Sequence, residues 1–190
     1  LQLLQENFPG GTAITLTPWD PNEIWPLVAA ALGRRPAVIA PFVTRPNERI
    51  LDRAALGLAP ARSAAQGVYR LRAARQRSDG VVVLQGSEVV YEFLSHALPL
   101  LEADGIDLDL YYVASAELFD AHDEARQEEI FPGADRARAM GITGFTLPTM
   151  HRWVTTDRGR AATLHPFRGG HYLGSGQASM VLLEAGMDGE

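Results

Sequence analysis

Short apolar runs, each handed on to a helix-forming stretch, set the terms on which this chain can fold. Ala13–Leu16 (AITL) is short, apolar and β-branched, and predicts a strand. After it, Asp20 suits a helix N-cap, Pro21 the first helical position and Glu23 the return bond of a capping box. Ile24, Leu27, Val28 and Leu32 then recur at helical spacing until Gly33, with Pro26 early enough to be tolerated. Ala37–Val43 (AVIAPFV) predicts a second strand, and its unbroken apolar character points to a parallel sheet. Two strands and one helix cannot close a core by themselves. This front unit is expected to lean on material absent from this sequence.

The stretch 45–66, rich in Ala, Arg and Pro, has no sustained period and reads as a linker draped over a surface, with a turn of helix near Ile50–Leu56. Alternation then resumes. Gly67–Ala73 alternates apolar and polar residues, as an edge or half-exposed strand does; Val81–Gln85 is an apolar strand, and Val89–Ala103 a helix that Pro99 should kink or force into a weak turn. Leu108–Val113 (LDLYYV) is a strand and Glu117–Ile130 an acidic helix. Ala137–Ile142 and Gly170–Leu173 are weaker strands, and Gln177–Ala185 is a terminal helix. Strands alternating with helices of this length require an open α/β sheet covered on both faces.

Composition narrows the functions open to such a fold. A net charge of −6 argues against nucleic acid or an anionic membrane as the main partner. With 46% hydrophobic residues in 190, the chain can bury a sizeable core. Cysteine is absent, which removes disulfides, thiolate metal ligands and cysteine nucleophiles, and fits a cytoplasmic setting. No apolar run approaches the roughly 18–20 residues that span a bilayer. The chain opens without methionine, in what reads as mid-element, as expected of a piece of a longer polypeptide.

Few residues carry recognisable chemistry. There is no Walker-type phosphate loop, no HExxH pairing and no G-x-S-x-G elbow. The glycine-rich run 169–176 reads as a loop, and His122 with Asp120, Asp123, Glu124, Glu128 and Glu129 reads as a solvated face. Two places remain. Gly86-Ser87-Glu88 closes a strand and opens a helix, where free N–H groups can hold an anion; the alternative is helix capping by Ser87. Thr44-Arg45 also follows a strand's carboxyl end. The Arg45 guanidinium can grip a phosphate with two parallel bonds, or form a linker salt bridge.

Taken in order, these segments resemble the transketolase family. Val83-Leu84-Gln85-Gly86-Ser87-Glu88-Val89 is similar to that family's strand followed by "GSEV". Ser115 to Asp123 (SAELFDAHD) resembles its "S-x-x-x-F-D-x-Q-D", and Phe131-Pro132-Gly133-Ala134 its "LPGA" turn. Upstream, Pro18-x-Asp20-x-x-Glu23 and Val43-Thr44-Arg45-Pro46-Asn47 are similar to a "P-x-D-x-x-E … S-R-Q-N" pair. Pro46 replaces the family's Gln, and Leu173 to Ala178 only loosely resembles its late "F-G-x-S-A-P" segment.

The resemblance implies a three-layer α/β/α sandwich with a mostly parallel, mixed five-stranded sheet, preceded by a partial α/β unit. Residues 1–50 would be the tail of a pyrimidine-binding domain, 51–66 a linker and 67–190 the transketolase C-terminal domain. Gly67–Ala73 is the natural candidate for the antiparallel strand. The family transfers a two-carbon ketol unit between sugar phosphates in the pentose phosphate pathway, using thiamine diphosphate and a divalent metal (Mg or Ca) at a dimer interface. It implies Arg45 as a substrate-phosphate contact. The family's Gly-Asp-Gly segment for the diphosphate and metal is absent here, so this stretch alone should be inactive and should need the remaining N-terminal section or subunit. Gln66 to Leu71 (QGVYRL) also resembles homodimeric pyruvate dehydrogenase, a relative acting on a 2-oxo acid. A non-catalytic regulatory or dimerisation domain is the reading from a different class.

Overall fold

The computed structural model describes residues 1–43, 49–171, 173–174 and 176–189. A short helix α1 (Gln2–Asn7) leads to β1 (Ala13–Leu16). A 3-10 turn at Pro21–Glu23, capped by Asp20, which accepts the Asn22 N–H at 2.8 Å, runs into α2 (Ile24–Gly33), and β2 (Val38–Pro41) follows. β1 and β2 pair in parallel as a sheet of their own. β2 stays largely exposed although every residue in it is apolar, and Trp25 and Leu32 of α2 face solvent.

The larger sheet is built from β3 (Val68–Arg72), β4 (Gly80–Gln85), β5 (Leu108–Val113) and β6 (Ala139–Thr143), in the order β3-β5-β4-β6. β3, at the edge, is antiparallel to β5; β4 runs parallel to both β5 and β6. The antiparallel strand that the resemblance placed at Gly67–Ala73 is thus β3, although its burial does not alternate and only Arg70 is exposed. Its Arg72 is buried because its guanidinium pairs with Glu102. Four strands form this sheet among the described residues, and the fifth position is represented by a single parallel bridge from Ile142 to Leu164. The strand expected at Gly170–Leu173 is not found: Gly170, His171 and Leu173 are irregular, and Tyr172 lies outside the described residues. Gly170 sits at φ +74°, a left-handed conformation that interrupts a strand.

Helices cover both faces. The helix after β4 is α3 (Ser87–Glu92), a π turn at Phe93–Ala97 and α4 (Leu98–Ala103). Pro99 accounts for the wide turn. It has no N–H to give and would press on the carbonyl four residues back, and the widened turn, with the Leu98 N–H bonded to the Phe93 carbonyl, relieves both problems without a break. The acidic helix expected over Glu117–Ile130 is two helices, α5 (Ala116–Asp120) and α6 (Glu124–Ile130). Asp123 divides them, since its carboxylate caps α6 by accepting the Arg126 N–H at 2.8 Å. Three short helices complete the described chain: α7 (Gly133–Arg136), α8 (Asp157–Ala162) and α9 (Ala178–Ala185).

One apolar cluster joins the front unit to the larger sheet, with Ile14, Leu16, Trp19 and Leu27 packing in the same core as Tyr69, Leu84, Val90 and Tyr112. A second, on the other face, gathers Val83, Tyr111, Phe119, Phe131 and Trp153. The intervening stretch does more than drape: Leu58 and Ala64 are buried, and Ala61–Gln66 is a 3-10 helix.

Candidate functional site

The chain leaving β1 crosses the carboxyl ends of β5 and β4, and a series of hydrogen bonds fixes it there. The Thr15 N–H and hydroxyl donate to Glu117 Oε2 at 3.1 and 2.8 Å. The Thr17 N–H donates to the Ala114 carbonyl at 2.8 Å and its hydroxyl to that of Val113 at 2.9 Å, while the Tyr112 hydroxyl donates to the Thr17 carbonyl. Beside β4, the Ser87 hydroxyl donates to the Trp19 carbonyl at 3.0 Å. The two sheets therefore meet with their strand ends on one crevice of about 170 Å³. Its walls are Thr17 and Pro18 after β1, Phe42 and Val43 after β2, Gly86 to Glu88 after β4, and Gly144 and Phe145 after β6. The carboxyl ends of strands are where open α/β sheets receive ligands.

Gly86 is required by this geometry. It sits at φ +110°, and a Cβ on it would lie 3.2 Å from the Gly144 nitrogen. Ser87 is buried and makes no capping bond to its helix; its hydroxyl ties α3 to the front unit instead, which replaces the simple capping reading. Glu88 is half-buried on the crevice wall. Burial pushes its carboxyl above the usual carboxylate range, and a bond from its own backbone N–H partly offsets this. Arg45 lies outside the described residues; it follows Val43, on the crevice wall, by two positions in sequence.

Behind the crevice is a polar knot that the sequence reading did not foresee. Arg53 sends its Nε to Asp20 Oδ2 at 2.7 Å, its Nη2 to Glu23 Oε1 at 2.6 Å and its Nη1 to the Ala59 carbonyl at 2.8 Å. Its guanidinium lies 4.5 Å from the centre of the Trp19 ring, over which it stacks. The Tyr69 hydroxyl donates to Glu23 and accepts the Trp19 Nε1–H at 2.9 Å. Glu23 is fully enclosed, and burial pushes its carboxyl up to about 7 against the opposing pull of Arg53 and Tyr69. Burial pushes the Tyr69 hydroxyl well above its ordinary value as well, with Glu23 adding to the effect. Asp20 and Glu23 thus do more than start a helix: with Arg53 from the linker and Tyr69 from β3, they pin the front unit to the larger sheet. The readable signal was the pair of carboxylates three positions apart beside a tryptophan, a density of charge that a cap alone does not need.

Three carboxylates of the acidic run behave as surface groups. Asp120 pairs with Arg152, Glu128 with Arg136 and Glu129 with Arg126, all at the surface. Among the described residues no group of three or more His, Asp or Glu side chains could hold a metal ion, and no helix is long and apolar enough to cross a membrane.

No family model matches the sequence, and no curated protein matches it. Solved structures do. Transketolase from Leishmania mexicana superposes on 93% of this chain with a TM-score of 0.70 at 16% identity. The fold is that of transketolases. A transketolase from Pichia stipitis in complex with sedoheptulose-7-phosphate gives a TM-score of 0.68 at 19% identity, and one from Campylobacter jejuni 0.63 at 19%, each over 93% of this chain. The chain covers 23% of the Leishmania and Pichia proteins and 24% of the Campylobacter one, about a quarter of the transketolases it matches. With 93% of the chain matched, the likeness of fold takes in the front unit as well as the larger sheet.

Proposed function

We propose that the chain serves as the C-terminal section of a cytoplasmic, thiamine-diphosphate-dependent, transketolase-like enzyme that moves a two-carbon ketol unit between sugar phosphates. The observation that supports this most is the fold likeness over 93% of the chain, front unit included, together with a crevice formed where the strand ends of the two sheets meet. In this reading residues 1–50 end a pyrimidine-binding domain, 51–66 link it, and 67–190 form the C-terminal domain of a homodimeric enzyme. The Pichia stipitis structure is named as a complex with sedoheptulose-7-phosphate, and a sugar phosphate is the substrate class carried over to this chain.

The residues present do not fit a thiamine diphosphate and metal site. The described residues supply no set of three metal ligands and the sequence has no Gly-Asp-Gly segment, so the cofactor and its metal are assigned to the remaining section of the enzyme. The part left to this chain is to dock, to shape one wall of the substrate space and to present Arg45 to the substrate phosphate. Gly86, Ser87 and Glu88 line that wall; a phosphate meeting them would face the Glu88 carboxylate, so Arg45 is the residue that holds the charge. With the remaining section supplied, xylulose 5-phosphate and ribose 5-phosphate should be turned over, and Arg45→Ala should raise KM by the loss of one charged hydrogen-bonding partner, about 1.5–3 kcal/mol. Turnover of pyruvate with none of sugar phosphates would replace this reading with the 2-oxo acid relative.

A further inference from the structure

Helix α9 touches the core only in part, through Leu182 and Ala185. Its sequence, ASMVLLEA, is apolar enough to be packed down, yet none of its residues is buried, and Leu183 and Met180 lie on the solvent side. Val181, Leu182 and Ala185, on its inner side, line a cavity of about 720 Å³. Packed interiors leave few voids larger than a water molecule, whereas cavities of roughly 300–1,000 Å³ are the size that small ligands fill. Val89 and Met187 also line a second cavity of about 410 Å³, under the π turn beside β4 and β6, so the two spaces adjoin. Apolar walls of this kind gain nothing from water.

One charged side chain breaks the apolar lining. Among the described residues around the larger cavity, Glu88 is the only ionisable one, and Gly144 and Glu88 are shared with the crevice at the strand ends. No cation pairs with Glu88 among the described residues, whereas Asp120, Glu128 and Glu129 on the other face each have an arginine partner. A ligand with an apolar body would displace water from the walls, and a positive head would meet the half-buried carboxylate.

We propose that the space beneath α9 is a binding site for a small organic cation, a primary amine on an aromatic or branched aliphatic body, with its ammonium group against Glu88 and its body against Val89, Phe167, Val181 and Met187. The site shares Glu88 with the wall of the crevice but makes no use of Arg45, and binding to it can be read without ketol transfer.

Calorimetric titration of the chain with three matched probes tests it: 2-naphthylmethylamine, 2-naphthylmethanol and 2-naphthoate. The amine should bind saturably and about ten-fold more tightly than the alcohol, with the carboxylate weakest, since a charged hydrogen bond outweighs a neutral one. Glu88→Gln should bring the amine down to the level of the alcohol and leave the alcohol unchanged. Val181→Trp, which fills the space, should abolish binding of all three; Ala185→Phe serves the same purpose if that variant does not fold. Absence of saturable binding by any probe, equal affinity for amine and alcohol, or unchanged binding in the filled variant would overturn the proposal.

Discussion

Removing the Arg53 guanidinium is the sharpest test of how the two units are held together. Arg53→Met keeps an apolar stem against Trp19 but deletes two ion pairs and the bond to the Ala59 carbonyl. Asp20 and Glu23 are then left enclosed without their cation. Breaking a buried pair from one side costs about 3–5 kcal/mol, a large share of the roughly 5–15 kcal/mol that keeps a domain folded. Part of this loss should depend on pH. Burial already holds Glu23 at about 7 against an ordinary 4.5, and without Arg53 the carboxyl rises further. The folded variant therefore retains a proton that the unfolded chain has released, so its stability is greatest at low pH and falls as pH climbs through the folded value. Urea unfolding followed by tryptophan fluorescence at pH 5.5 and pH 8 reads both effects. A loss under about 1 kcal/mol at pH 8, or one that does not shrink at pH 5.5, would refute the claim that this knot is what pins the front unit.

Glu23→Gln should flatten the pH dependence of stability that the native carboxyl imposes between 4.5 and about 7, a swing of up to about 3 kcal/mol that pH-dependent urea melts would reveal. Gly67 lies at φ +83°, and a Cβ there would come within 2.2 Å of the Phe119 nitrogen; Gly67→Ala should lower stability by several kcal/mol, measured as a fall in Tm, because backbone must move to admit it.

Sequence pattern carried the strands well. β1 and β5 fall on the residues their apolar runs mark, and the alternation of Gly67–Ala73 marked a strand that lies at the sheet's edge. What it missed are outcomes that local signals do not decide. Pro99 could end, kink or widen its helix, and the surrounding packing selected the wide turn. Asp123 reads as one more acid on a long acidic face until its carboxylate is seen capping α6. The knot was hidden for a different reason: Glu23 bonds Arg53 at a separation of 30 residues and Tyr69 at 46, and no short-range period reports such distances. Of the candidate site, Gly86 to Glu88 could be placed at a strand's end from sequence, but Ser87's bond to the Trp19 carbonyl required the two sheets to be brought together.

The ion pair between Glu23 and Arg53 ties off a loop of 30 residues in a chain that has no cysteine. It does the work of a cross-link, shrinking the freedom of the open chain, but with a reversible electrostatic clasp. Reducing agents and oxidants leave such a clasp alone. Acidity governs it instead, so the firmness with which the two sheets stay joined is tied to the proton concentration of whatever surrounds the protein.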